Sequence, residues 1–412
     1  MSQRILIIGA GIGGLTAAAV LLQRGYRVRV FEQASALGEI GAGIQISANA
    51  SRVLHYLGLE GPLADVAVTP VAFHYRLYNN GDVLHEIPLG ATHERNYGAK
   101  YYHLHRADLH GLLAARVREL DPDAVVLGAA AESFTETASS VTVDFKDGTR
   151  ATGDVLIGAD GIKSTIRSQI VGPSSAEFTG YVSWRAVVPS SRLPADFMPR
   201  ICTNWVGPNA HVIVYYLRRG ELINFVGLVE DDTWRDESWT VKSSWDILKA
   251  DFAPWHSDVQ KLIDAMDKDQ CYRWAMYNRA PVTGWSTSRA TLLGDAAHPT
   301  LPFMAQGAAM AIEDGVILAR ALESTSTIAG GIDLYARSRY ARTARVQTGS
   351  NELGKLYHLR TEAELRAGFA NRDIAKERGQ WVFSYDPFTA PLAAPAATHS
   401  PRSRPSQTAA GD

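Results

Sequence analysis

Hydrophobic positions open the chain as a short block, Arg4 to Ile8, which a glycine-rich stretch from Gly9 to Gly14 interrupts before Leu15 to Arg24 resume at helical spacing with many alanines. The pattern predicts strand, turn and helix. Gly25 stands where a helix commonly ends, and Arg27 to Phe31 alternates as a second strand, so the unit is βαβ. Ala124 to Gly128 adds another α/β-type patch, and Val141 to Phe145 alternates up to a turn at Asp147-Gly148. The apolar run Val155 to Ile157 ends in Gly158-Ala159-Asp160-Gly161, placing Asp160 at a strand's carboxyl end, where open α/β sheets bind ligands. From Tyr181 to Val229 the alternation becomes rich in Val, Ile, Tyr and Trp and predicts an inserted, mostly antiparallel sheet. Ala290 to Leu293 then runs into Gly294-Asp295, and Gly307 to Leu322 reads as an alanine-rich helix. Leu334 to Phe369 is charged and helical in pattern. Residues 387–412 carry few large apolar side chains and are expected to form a disordered tail.

Composition narrows the function classes. The 412 residues, 46% hydrophobic and 20% charged, describe a folded globular protein with room for two or three domains or one composite one. A balance of 41 Lys and Arg against 43 Asp and Glu argues against a nucleic-acid partner. The run Ile5 to Ile8 is too short for a signal segment or a membrane span, so a soluble, cytoplasmic protein without a membrane partner is expected. Cys202 and Cys271 lie too far apart for a CxxC pair. His103, His105 and His110 lack acidic or cysteine companions at a metal-binding spacing, so no metal is expected.

Gly9-Ala10-Gly11-Ile12-Gly13-Gly14 supplies a tight turn, close backbone approach to a pyrophosphate and a helix N-terminus facing the anion. Glu32, ending the second strand, stands where an acid binds adenosine ribose hydroxyls. This fingerprint fits FAD and NAD alike. No second such unit follows, while Asp160-Gly161 and Gly294-Asp295 suit a long cofactor held by several strand ends.

Gly9 to Gly14 with Glu32, Gly158-Ala159-Asp160-Gly161 with Ser164 and Arg167, and Gly294-Asp295-Ala296-Ala297-His298-Pro299 together resemble the class A single-component FAD-dependent aromatic monooxygenases. Gly41-Ala42-Gly43-Ile44-Gln45, His105 to Leu109 and Pro302 to Ala308 are similar to the salicylate, 3-hydroxybenzoate and 6-hydroxynicotinate hydroxylase subgroup. The resemblance implies an α/β fold: a discontinuous, Rossmann-like FAD-binding domain of the GR2 type over 1–75, 100–178 and 285–385. A substrate-binding sheet would occupy 76–99 and 179–284, followed by C-terminal helices. It further implies FAD contacts at Gly13, Glu32, Gln33, Arg106, Ala131 and Asp295, with Asp295 on the ribityl chain and Ala308 near the isoalloxazine. Arg106 also suits pyrophosphate through its guanidinium. Asp160 would lie where FAD and reduced nicotinamide approach, and the same residue reads equally as a helix cap. His298 is expected to shape the flavin pocket. Gln45 is grouped with the cofactor positions. Gln45 and Phe303 stand where some 6-hydroxynicotinate hydroxylases carry histidine, which favours a salicylate or hydroxybenzoate substrate.

The implied reaction consumes NADH or NADPH and O2, passes through a flavin C4a-hydroperoxide, and hydroxylates a small aromatic acid with or without decarboxylation. His211, Ile213 and Tyr215 share one face of a strand. His211 and Tyr215 are therefore the catalytic candidates, jointly holding and deprotonating a ring hydroxyl, and Trp184-Arg185 is a candidate carboxylate site. The alternatives are the same chemistry on an N-heteroaromatic ring and a non-catalytic FAD-binding redox sensor. A homodimer is compatible with the resemblance.

Overall fold

The computed structural model describes residues 3–38, 42–236 and 241–394. Five parallel strands form its first sheet, in the order Ala290–Leu292, Val155–Gly158, Arg4–Ile8, Arg27–Glu32, Val125–Leu127. Ile5, Ile7, Leu156 and Ile157 are buried because both faces of this sheet are covered. The helix Ile12–Gln23 is buried on nearly every side. Its run of alanines lets a second helix, Gly307–Glu323, approach so closely that a Cβ on Gly315 would lie 3.1 Å from the Ala17 Cα.

The second sheet has seven strands, ordered Tyr272–Asn278, Glu177–Pro189, Leu222–Glu230, Ala210–Leu217, Cys202–Gly207, Ala72–Leu77 and Val83–Pro88. All neighbours are antiparallel except Cys202–Gly207 with Ala72–Leu77. Alternation sorts its faces: Val212 and Val214 pack with Leu248, Phe252 and Val259 of the covering helices. Ile213, Tyr215 and Leu217 join Phe303 and Met304 on the other side. A two-stranded ribbon, Gly43–Ile46 with Tyr102–His105, lies between the sheets, tied to the second by Gly43 N–H donating to Asn224 Oδ1 at 2.7 Å.

A wholly buried ionic network joins Gly307–Glu323 to the 30-residue helix Ile328–Tyr357. Arg339 bridges Glu313 (2.8 Å) and Asp314 (2.6 Å), and Arg342 closes on Glu313 at 2.6 Å. Asp314 also accepts from Gly294 N–H at 3.0 Å and meets His298 Nε2 at 2.7 Å. Burial alone would raise the Asp314 carboxyl, but His298 and Arg339 outweigh it and pull it down to about 2. Its stabilisation is therefore complete above the ordinary carboxylate range near pH 4 and is lost as pH falls towards 2. Asp314→Asn should flatten the acid limb of stability between about pH 4 and 2, read as cofactor release on acid titration; an unchanged limb would exclude Asp314 as its source.

Residues 387–394 are anchored where the composition predicts a disordered tail. Arg320 Nη1 donates to the carbonyls of Pro387 (2.6 Å) and Ala390 (2.8 Å), and Ala393 N–H donates to Ser338 Oγ at 2.9 Å. The ring of Phe388 lies 4.8 Å from that of Tyr56. Backbone carbonyls, which composition does not reveal, anchor residues 387–394; residues 395–412 and Gly41 lie outside the described residues. Among the described residues, no helix is long and apolar enough to cross a membrane.

Candidate active site

The glycines of the first turn divide into packing and ligand positions. Gly9 has φ +102°, and a Cβ there would lie 2.4 Å from the Ala159 carbonyl oxygen. A Cβ on Gly14 would meet the Gly9 carbonyl oxygen at 2.0 Å, and one on Gly13 would meet Leu293 Cδ2 at 2.8 Å. Gly11, the N-cap of Ile12–Gln23, instead faces open space and leaves the helix N-terminus without a side-chain cap. That geometry suits an anion carried on free N–H groups and the helix dipole. Glu32 is fixed beside it, Oε2 accepting from Ala10 N–H at 2.8 Å and Oε1 from Ala34 N–H at 2.9 Å. Its remaining lone pairs face the same crevice as Gln33, which is exposed. Ala131 is brought alongside because Ala129 N–H and Gly128 N–H bond the carbonyls of Glu32 and Ala34.

Asp295 is solvent-accessible yet enclosed by protein, as expected of a residue lining an internal cleft. Burial raises its carboxyl, opposed by Arg106 and His298. Asp314 holds both Gly294 and His298, so His298 is a structural member of this turn. Arg106 begins the helix Arg106–Leu120, its N–H bonded to the Ala42 carbonyl at 3.0 Å. Ala308 lies at the start of Gly307–Glu323, beside Gln306, whose Oε1 accepts from Asn49 Nδ2 at 2.9 Å. The open space at Gly11, the free helix start and the enclosed Asp295 fit a long dinucleotide.

Asp160 makes the helix-cap contacts, which are compatible with a place beside the cofactor. Its Oδ2 accepts from Thr165 N–H (2.8 Å) and Ile166 N–H (3.2 Å), and Oδ1 accepts from Ser164 Oγ, so the carboxylate caps the helix Thr165–Ile170. Gln45 contacts residues of the second sheet. It accepts from Tyr101 OH at 2.7 Å, donates to Cys202 Sγ at 3.6 Å and bonds Tyr215. Its alternation on Gly43–Ile46 turns it to the second sheet, among the substrate-side residues.

The seven-stranded sheet presents cross-strand rows to this region. Phe73, Cys202, Tyr215, Asn224 and Val187 form one; Tyr75, Asn204, Ile213, Val226 and Arg185 the next; Leu77, Val206, His211, Leu228 and Ser183 the third. On these rows both amide atoms of Asn204, Nδ2 of Asn224, Oγ of Ser183 and Nε2 of His211 are buried without a protein partner, as are both ring nitrogens of His103, whose ring lies 4.4 Å from Tyr215. Buried polar groups are almost always hydrogen-bonded, so the unspent donors and acceptors on this face make it the candidate ligand surface. Arg185 stacks 4.2 Å over Trp274, its guanidinium pushed down to about 9 by burial and by Arg106.

His211 and Tyr215 share the expected face of the strand. Four residues of strand separate them by about 13 Å. Burial holds the Tyr215 hydroxyl well above its ordinary range, so it keeps its proton and can donate to a ligand but does not act as a base. Burial and the neighbouring His358 keep His211 neutral. The sequence pattern missed Asn204, Asn224, His103 and His358; the two asparagines, disfavoured inside strands, were the available signal. His103, His105 and His110 serve three different tasks, beside Tyr215, capping their own helix, and bonding the Ala10 carbonyl.

Comparison with known proteins places this geometry. The family model described as FAD binding domain matches residues 2–350. The chain is 38% identical to a 3-amino-4-hydroxybenzoate 2-monooxygenase of Streptomyces platensis, over 94% of this chain and 97% of that one. It is 36% identical to the 6-hydroxynicotinate 3-monooxygenase of Pseudomonas fluorescens, over 96% and 98%. A solved salicylate hydroxylase substrate complex superimposes with a TM-score of 0.78 at 27% identity, covering 94% of this chain and 96% of that one. The chain belongs to the FAD binding domain family and is one of the class A FAD-dependent aromatic-ring monooxygenases.

Proposed function

We propose that this monooxygenase hydroxylates a small aromatic acid carrying a ring hydroxyl, of the salicylate or hydroxybenzoate type, using NAD(P)H and O2. The observation that carries the reading is the unspent Nε2 of buried His211 on the same sheet face as Asn204 and Arg185. FAD, reduced by a nicotinamide, supplies the activated oxygen. The protein then has to bind a ring, ionise its hydroxyl so that the ortho and para carbons become nucleophilic, and exclude water.

Gly9, Gly11, Gly13, Gly14, Glu32, Gln33, Arg106, Ala131, Asp295 and Ala308 would hold the cofactor. Ile213, Val226 and Phe303 offer apolar walls for the ring. Neutral His211 would take the hydroxyl proton at Nε2. Arg185, on the row between His211 and Tyr215, would supply a cation for the carboxylate, and the Tyr215 hydroxyl would donate to the ligand. Gln45 and Phe303 add no ionisable group here, which supports a benzenoid acid over a pyridine. Unpaired Cys202 and Cys271 are consistent with a reducing, cytoplasmic setting.

Substrate-stimulated NADH and NADPH oxidation across salicylate, hydroxybenzoates and hydroxynicotinates, with mass analysis of product, tests the reading. One added oxygen per nicotinamide on a benzenoid acid is expected. Turnover confined to pyridines would overturn the substrate class, and peroxide without product would overturn the hydroxylase assignment. His211→Ala should slow hydroxylation by about 100-fold or more with FAD content unchanged. Tyr215→Phe should chiefly raise KM.

A further inference from the structure

His211 is the inner end of a hydrogen-bonded chain that reaches the surface. Its Nδ1 lies 2.7 Å from Nε2 of His358, and His358 Nδ1 lies 3.2 Å from Oε1 of Glu230. His211 and His358 are buried, whereas Glu230 ends its strand exposed to solvent. Arg360 Nη2 meets the other Glu230 oxygen at 3.0 Å and bonds Asn209. Phe303 and Tyr357 flank the His211 ring, and Tyr181 flanks His358.

We propose that His211, His358 and Glu230 form a proton relay that carries the substrate's hydroxyl proton from the buried site to bulk water. The proposal rests on the reading of His211 as the base. The chain fixes the tautomers: anionic Glu230 accepts only, so His358 carries its proton on Nδ1 and presents a bare Nε2. His211 must then carry its proton on Nδ1, which leaves Nε2 as an acceptor for the substrate hydroxyl. When that O–H breaks, Nε2 of His211 gains the proton, Nδ1 of His211 passes its own to Nε2 of His358, and Nδ1 of His358 passes its own to Glu230, which releases it to water. Two neutral imidazoles remain, and the negative charge stays on the ring oxygen. The same path in reverse returns a proton to the product oxygen and restores the starting tautomers.

The charge balance explains why a relay is needed. Burial lowers the basicity of both imidazoles, so a proton parked on His211 as imidazolium would be costly. Glu230 is held below the ordinary carboxylate range, chiefly by its bond to His358, with Arg360 also contributing, so it hands its proton on to water readily. Other titratable or charged neighbours are Tyr181 and Arg360 beside His358 and Tyr357 beside His211; none offers a second route outward, since the tyrosines are raised by burial and the Arg360 guanidinium has no lone pair with which to accept a proton.

The test uses oxidised holoenzyme and 5-nitrosalicylate, whose phenolate absorbs apart from its phenol. In stopped flow at a pH below the probe's own ionisation, phenolate should appear at least tenfold more slowly in His358→Gln than in the wild type, with probe affinity and flavin absorbance unchanged. Glu230→Gln, a surface change that leaves both histidines in place, should slow it as well, and hydroxylation in both variants should recover as pH rises. Wild-type ionisation rates and an unshifted pH profile in both variants would overturn the relay. Failure of the base reading shows elsewhere: normal ionisation of the probe in His211→Ala overturns both proposals.

Discussion

Replacing Arg339 with methionine is expected to cost about 3–5 kcal/mol, the penalty for stripping one partner from a buried ion pair. Measured against a typical total of about 5–15 kcal/mol, that removes a large share of the stability. Arg339 is completely buried and holds two carboxylates, Glu313 and Asp314, on consecutive positions of one helix. Without it those charges face each other with only Arg342 and His298 for relief. The loss should read as a fall in melting temperature of about 5 °C and as colourless protein, because Asp314 also fixes Gly294 and His298 around Asp295. Adding Asp314→Asn to Arg339→Met should return part of the stability. A single variant that melts like the wild type would mean the network is solvated in solution.

The second prediction separates two glycines three positions apart. Gly14→Ala places a methyl group 2.0 Å from a backbone oxygen, so strand and helix must move apart. A loss of about 3 kcal/mol or more and failure to retain FAD are expected. Gly11→Ala meets no protein atom within 4 Å and should melt like the wild-type apoprotein. Its methyl group instead projects beside the helix N-terminus, and FAD affinity should fall roughly 10- to 100-fold, equivalent to about 1–3 kcal/mol. Apoprotein melting curves and FAD titration distinguish the two. Equal effects of both substitutions on apoprotein stability would contradict the division into packing and ligand glycines.

Much of the cofactor side was legible because its signals are local. Gly9 to Gly14 and Glu32 lie within one βαβ unit, so spacing alone carried them, although not the anchoring of Glu32 to Ala10 and Ala34. At Asp160 a strand-terminal acid can serve a ligand and the next helix alike, and its bonds to Thr165 and Ile166 were not legible in the sequence. The substrate side was less readable. Alternation placed His211 and Tyr215 on one face but says nothing of the distance between them. Gln45 depends on which way a four-residue ribbon turns, and His358 approaches His211 from 147 positions away. Contacts of that span leave no periodic trace.

The order of strands in the parallel sheet has a consequence for synthesis. Val155–Gly158 lies between Arg4–Ile8 and Ala290–Leu292, so one of its edges stays unpaired on the ribosome until nearly three-quarters of the chain has been made. Asp295 and the helix Gly307–Glu323 that covers Ile12–Gln23 emerge later still. The nascent protein therefore carries an open, apolar sheet edge and an incomplete cradle while the segment between Gly158 and Ala290 is made, a stretch in which chaperone shielding matters and free FAD cannot yet rescue the fold.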